Sequence, residues 1–470
     1  MFSRKDITKI LVPLFIQQIL SVLIGMVDSM MVSSAGDAAV SGVSLVTSLD
    51  LVLIYAFLAL ATGGSVVASL ALGRGDNERA CSVAKQLVYA VTSVAIIISA
   101  VVLVFRKAIL GSLFGDAEAA VMKSAEDYFF YIVLSFPLLG LYDSIAALFR
   151  AMGNSAISLK TSLIINGVNI VGNAILIYGF HMGAAGAAIA TLIARIVGAA
   201  IMLLLIHDKK NPIHITKIFK YRPDFSIIKS ILRIGIPSGV ENCMFQFGKL
   251  MTQSLISSLG TVSIAANAVA NSIATLQYVP GSAVNTATVA IVGRCIGAGE
   301  EKQAKRYSRL LLAIAYCTLW LVVLVMVIFA KPIISLYGIL PESAALAKSL
   351  ILYHSLCAVI LWPIAFCLPH VFRSAGDVKF SLYVSAFSMW AFRVALGYVF
   401  TLDRITLFEK ILPNAAISIP GLGIGVMGVW VAMTVDWVFR AALFLVHYLR
   451  GHWMRASVRK KQKASAAKTA

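Results

Sequence analysis

LGRGDNERA (72–80) and IGAGEEKQA (296–304) decide the architecture. Each follows a long apolar run, turns on glycines and leads into another apolar stretch. They lie 224 residues apart, and so do SSAG (33–36) and SSLG (257–260). FRAMGN (149–154) pairs with FRSAGD (372–377) at 223, and MGAAGAAIA (182–190) with IGVMGVWVA (424–432) at 242. The chain is therefore one design written twice. The polar segment HDKKNPIHITKIFKYRPDFSIIKS (207–230) joins the copies. The jump in offset places an insertion in the second copy, at ITLFEKILPNAAISIPG (405–421).

Hydrophobic residues make up 60% of the chain and charged ones 13%, with a mean hydropathy of +0.89. Soluble domains carry about 25% charged residues, so the composition is that of a polytopic membrane protein. Runs long enough to cross a bilayer, about 20 residues, fall at 10–33, 41–72 (with a bend expected at Gly63-Gly64), 87–105, 126–149, 161–180, 185–206, 234–257, 263–293, 310–330, 350–371, 380–400 and 425–447. The expected fold is all-α: twelve transmembrane helices in two six-helix bundles. Six is even, so both copies share one orientation, a parallel repeat about the membrane normal. The expected divisions are an N-terminal lobe (1–206), a cytoplasmic linker (207–230), a C-terminal lobe (231–449) and a basic tail (450–470).

The net charge of +19 is distributed by side. Of the 40 Lys and Arg, 29 fall in segments on the side of the N-terminus, seven in the opposite loops and four within spans. By the positive-inside rule both termini face the cytoplasm, in the plasma membrane. The basic surface then meets anionic lipid rather than nucleic acid. The first span is too long for a signal peptide, and no small-residue cleavage site follows it. The six cysteines suggest neither a disulfide framework nor a metal site. No phosphate loop or catalytic constellation is present, since GRGDNERA is a hairpin between spans. The expectation is a monomeric transporter of small molecules, not an enzyme, without a cofactor.

GMVDSMMVSS (25–34) places Asp28 in the first span. A carboxylate in hydrocarbon costs at least ~2.5 kcal/mol, so it needs a partner or a ligand. Asp28, Asn173 and Thr191 each fall five to seven residues from the outer end of a span, ~8–11 Å below the surface at 1.5 Å per residue. Asn169 shares a helix face with Asn173. One carboxylate with amide and hydroxyl oxygens at one depth can hold a proton or a small hard cation. The second copy differs: Thr252 stands where Asp28 does, and Lys249 where Gly25 does. Glu241, Lys249 and Gln246 in span seven, with Asp50 and Met31, are candidates for a substrate cavity. Structural partnership and ordinary packing are the alternatives for them. Asp436 and Arg440, four apart, are expected to pair. Asp143, Arg150 and Arg373 near the inner ends are structural or gate charges, and Arg195 and Arg393 need partners within the membrane.

VDSMMV in span one, GRGD after span two, FRAMGN, the N-x-x-x-N before GAAGAAIAT, GIPSGVENCMFQFGK (235–249) and FRSAGD together resemble the multidrug and toxic compound extrusion (MATE) family over essentially the whole chain. The resemblance implies two six-helix lobes around a cavity, and export of organic, cationic or amphiphilic compounds in exchange for H⁺ or Na⁺. It also implies a cation site at Asp28, Asn169, position 173 and Thr191. The family commonly has Asp where this chain has Asn173, which leaves the site one ionisable group short.

A lipid-linked-oligosaccharide flippase of related fold is the first alternative, and a channel or receptor the second. Twelve spans and Asp28 favour export. Impermeant thiol labelling of intact cells should miss Cys81, in the loop after span two. Strong labelling there from outside would overturn the orientation.

Overall fold

The computed structural model describes residues 2–115, 117–216, 222–407 and 417–454. The centre of the linker, the middle of the insertion and the tail beyond 454 lie outside the described residues. The first copy folds as α1 (Arg4–Ser33), α2 (Asp37–Gly73), α3 (Asn77–Phe114), α4 (Ala119–Leu134), α5 (Phe136–Ala151), α6 (Ser155–Asn173) with a π-helical turn at Ala174–Gly179, and α7 (Gly183–Ile206). The second gives α8 (Phe225–Ser257), α9 (Thr261–Ala298), α10 (Glu301–Ile328), a short α11 (Ala330–Ser335) and α12 (Pro341–Ser374). It ends with α13 (Val378–Ser388), a π-helical segment (Met389–Ala395), α14 (Leu396–Thr401) and α15 (Val426–Leu449).

Among the described residues, nine helical segments are long and apolar enough to cross a membrane. The pair α4 and α5, bent by 46°, makes a tenth. The remaining two crossings are α8 and α9, equally long but richer in polar residues such as Glu241, Lys249, Asn267 and Gln277. The protein is thus an all-α, multi-pass membrane protein. The bend expected at Gly63-Gly64 does not break α2, which runs through both glycines. The bend lies instead at Ser135, ahead of Pro137, in the fourth span. The insertion carries a two-stranded antiparallel hairpin, β1 (Arg404–Leu407) with β2 (Ile417–Pro420), in which Arg404 stands opposite Pro420.

The repeat is written into the backbone. Gly36 and Gly260, Gly75 and Gly299, Gly153 and Gly376, and Gly183 and Gly425 all take positive φ, in the register of the sequence offsets. These are turns that only glycine enters without strain. Local caps set the helix starts: Ser3 and Asp6 form a reciprocal capping box on α1, and Asp76 accepts from Arg79 N at the start of α3.

The helices gather into two compact units, Met1–Gly239 with Val289–Ala304, and Val240–Thr288 with Lys305–Ala470. The core of unit 1 packs Phe57 edge-on against Phe136 at 5.9 Å, with Leu87, Ile145 and Phe149 fully buried. Within it, small residues let α2 meet the ends of α8 and α9 backbone to backbone. A Cβ on Gly63 would come within 2.7 Å of Ile231 O, and one on Gly293 within 3.0 Å of the Ser69 Cβ. One on Gly297 would strike Leu70 O. Arg294 locks this end by donating from Nε to Ala151 O at 2.9 Å.

Gly297→Leu should therefore destabilise the protein by about 1–3 kcal/mol through overpacking. Thermal unfolding in detergent measures it; a wild-type melting temperature would show that the approach is looser than drawn.

Candidate functional site

In unit 1, α1 brings Asp28 against the faces of α6 and α7. Asn173 donates from Nδ2 to Asp28 Oδ1 at 2.9 Å. Asn169, one turn earlier, lies between Asp28 and Thr191. Its amide nitrogen donates to Asp28 Oδ1 at 2.8 Å and Oδ2 at 3.2 Å, and its oxygen accepts from Thr191 Oγ1 at 3.2 Å. Asn169 and Asn173 are 6% and 2% exposed, and Asn173 Oδ1 is buried without a hydrogen-bond partner. The π-helical turn begins at the residue after Asn173. Such turns widen a helix locally and recur at functional positions.

The other unit 1 candidates are placed differently. Met31 packs into an apolar cluster with Val32, Ile177 and Ala187 rather than lining open space. Asp50, 7% exposed, pairs with Arg195 at 3.7 Å. Arg195 also donates to Ser135 Oγ at 2.6 Å, so one guanidinium braces the break between α4 and α5. Asp143 and Arg150, both half-buried on α5, form no ion pair among the described residues.

In unit 2, Glu241 takes Arg373 as its partner, with Nη2 to Oε2 at 2.7 Å. Ser385 Oγ donates to Oε1 at 2.8 Å, and Ser381 lies at 3.4 Å. The signal available was the four-residue spacing of Ser381 and Ser385, which puts both on one face. Gln246 is half-buried on α8. Asp436 and Arg440 are joined at 2.7 Å, and Arg393 approaches the same carboxylate at 3.9 Å. Lys249 stands over the Phe245 ring at 5.3 Å. Sequence reasoning missed a run of rings beside it. Tyr278 stacks on Trp362 (5.1 Å), Trp362 on Phe366 (5.3 Å), and Phe366 meets Phe245 edge-on (6.1 Å). Tyr278 also bonds His354, whose other ring nitrogen faces Gln277 Oε1 at 2.9 Å. Among the described residues no three His, Cys, Asp or Glu gather as they do in a metal centre.

The MatE family model matches residues 13–175 and again 237–399, the two copies at the offset of the sequence repeat. The chain belongs to the MatE family. A probable multidrug resistance protein NorM of Thermotoga maritima is 25% identical over 468 residues, 97% of this chain and 94% of that protein. The uncharacterised transporter YisQ of Bacillus subtilis is 27% identical, over 94% of this chain and 93% of that one. The crystal structure of MATE in the bent conformation matches with a TM-score of 0.83 at 22% identity, covering 98% of this chain and 97% of that one. This MatE chain is accordingly a multi-pass membrane transporter of a multidrug-efflux family, not an enzyme.

Asp436 serves two guanidiniums in a buried setting, so removing its charge strands both. Asp436→Asn should destabilise the protein by about 3–5 kcal/mol, and adding Arg440→Met should recover part of the loss. Thermal melts of the single and double variants measure it; a stable single variant would mean that Asp436 is dispensable to the pair of arginines.

Proposed function

We propose that the chain exports organic, cationic or amphiphilic compounds across the plasma membrane in exchange for H⁺ or Na⁺. Asp28, Asn169, Asn173 and Thr191 form the coupling site in this reading, and both termini face the cytoplasm. The observation that carries it is a half-buried carboxylate held by neutral amides, with no cation within ion-pair distance among the described residues. Asp50, Glu241 and Asp436 are by contrast matched by arginines. Asp28 is therefore free to exchange a proton with water, or to take a small cation with the unpartnered Asn173 oxygen beside it.

A proton or cation on Asp28 neutralises the carboxylate and weakens the hydrogen bonds it accepts from Asn173 and Asn169, so occupancy changes what ties α1 to α6. A ligand shifts a two-state equilibrium by its difference in affinity for the two states. A difference of ~2–3 kcal/mol shifts it roughly 30- to 150-fold, enough to drive alternating access.

Asp28→Asn keeps the shape but cannot titrate. It should abolish cation-driven efflux of rhodamine 6G from proteoliposomes while the protein still folds and inserts. Asn173→Asp should be tolerated and alter the choice between H⁺ and Na⁺. Wild-type export by Asp28→Asn, with loss in Glu241→Gln, would move the coupling site to unit 2.

A further inference from the structure

Unit 2 carries more positive charge than its carboxylates can match. Lys249, Arg373, Arg393 and Arg440 stand in its helices against Glu241 and Asp436. Glu241 is fully engaged by Arg373, Ser381 and Ser385. Asp436 is divided between Arg393 and Arg440, and the Arg393 Nη1 is buried without a hydrogen-bond partner in a residue only 6% exposed. Lys249 makes no ion pair among the described residues; it is exposed and shares the Phe245 ring with Arg393.

All three of these cations converge on one ring. The Phe245 centroid lies 5.3 Å from Lys249 Nζ, 5.2 Å from the Arg393 guanidinium and 5.7 Å from that of Arg440. The ring face offsets part of the repulsion, but it accepts no hydrogen bond from the stranded Nη1 of comparable strength. From Phe245 the aromatic run continues through Phe366 and Trp362 to Tyr278. The arrangement is an apolar, π-rich wall ending in unmatched positive charge.

We infer that unit 2 holds a binding site for an amphiphilic aromatic anion, a carboxylate or sulfonate whose charge meets Lys249 and Arg393 and whose rings lie along Phe245 and Phe366. The repeat sharpens the contrast. Subtracting the repeat offset takes Lys249 to Gly25, on the helix of Asp28, and Arg393 to Ile170, beside Asn169. Around these positions the same two spans carry Asp28 and amides in one unit and two cations in the other, where the acid of α8, Glu241, is taken by Arg373, each with a π-helical segment nearby. As a transported substrate class, the anion rests on the exporter reading above; as a binding site, it does not.

The test uses two xanthene dyes of similar shape and opposite charge, fluorescein and rhodamine 6G. Full-length protein in an uncharged detergent is titrated by fluorescence anisotropy against a micelle baseline, at physiological ionic strength. Wild type should bind fluorescein. Lys249→Met should weaken that binding about 30-fold or more and tighten rhodamine 6G, while Lys249→Arg should retain fluorescein. Phe245→Leu should weaken fluorescein as well. Absence of fluorescein binding by wild type, or equal loss of both dyes in Lys249→Met with Lys249→Arg no better, would overturn the site. Proteoliposomes separate the two readings: rhodamine 6G efflux without fluorescein binding leaves the exporter and removes the anion site. Fluorescein binding with neither dye transported keeps the site and removes the exporter.

Discussion

A charge inside a helix that crosses hydrocarbon must be met by an opposite charge, a polar group or a ligand. The interior of both units is arranged around that requirement. Arg195 answers Asp50, Arg373 answers Glu241, and Arg440 answers Asp436. Each pair is bound into neighbouring helices through hydroxyls: Ser135 for Arg195, Ser385 for Glu241, Ser388 for Arg440. Breaking such a pair from one side leaves a buried charge alone, which is why these contacts constrain helix placement more strongly than their net stability suggests. Other intramembrane charges stand outside these arginine pairs: among them, Asp28 is held by neutral amides and Lys249 by an aromatic ring.

Asp28 and Lys249 lie in repeat-related spans, three residues apart in the repeat register, and have opposite sign. Duplication supplies two equivalent spans, and sequence divergence has given them different chemistry. In the proposed division of labour the first unit takes the driving cation and the second takes organic anions, with the amides of α6 translating occupancy into a change of hydrogen bonding. The glycine contacts of α2 with the ends of α8 and α9 add a close-packed seam within unit 1.

Much of this was legible in the sequence. The glycine turns and their offsets fix the repeat because a positive φ tolerates almost nothing else, and the matching glycines do adopt it. Hydropathy and charge locate the spans, since about 20 apolar residues are needed to cross. Depth alone groups Asp28, Asn173 and Thr191, because residues at one height on adjacent helices can touch. What stayed hidden depends on which helices are neighbours. The partners of Glu241 lie more than 130 residues away, in Arg373 and Ser385. The aromatic run draws on α8, α9 and α12, each contributing one or two rings that look like ordinary packing in isolation. The break at Ser135 rather than Gly63-Gly64 follows from Pro137, which cannot donate to the preceding turn, whereas small residues inside α2 serve close packing.

The central claim is that Asp28 couples cation occupancy to substrate affinity. Linkage requires that a cation which alters substrate binding does so through the group that holds it. The most direct measurement is the affinity of purified protein for rhodamine 6G as a function of pH and of Na⁺, in wild type and Asp28→Asn. The account predicts an affinity that changes with one of the two cations in wild type and is flat in the variant. An unchanged cation dependence in Asp28→Asn would contradict it.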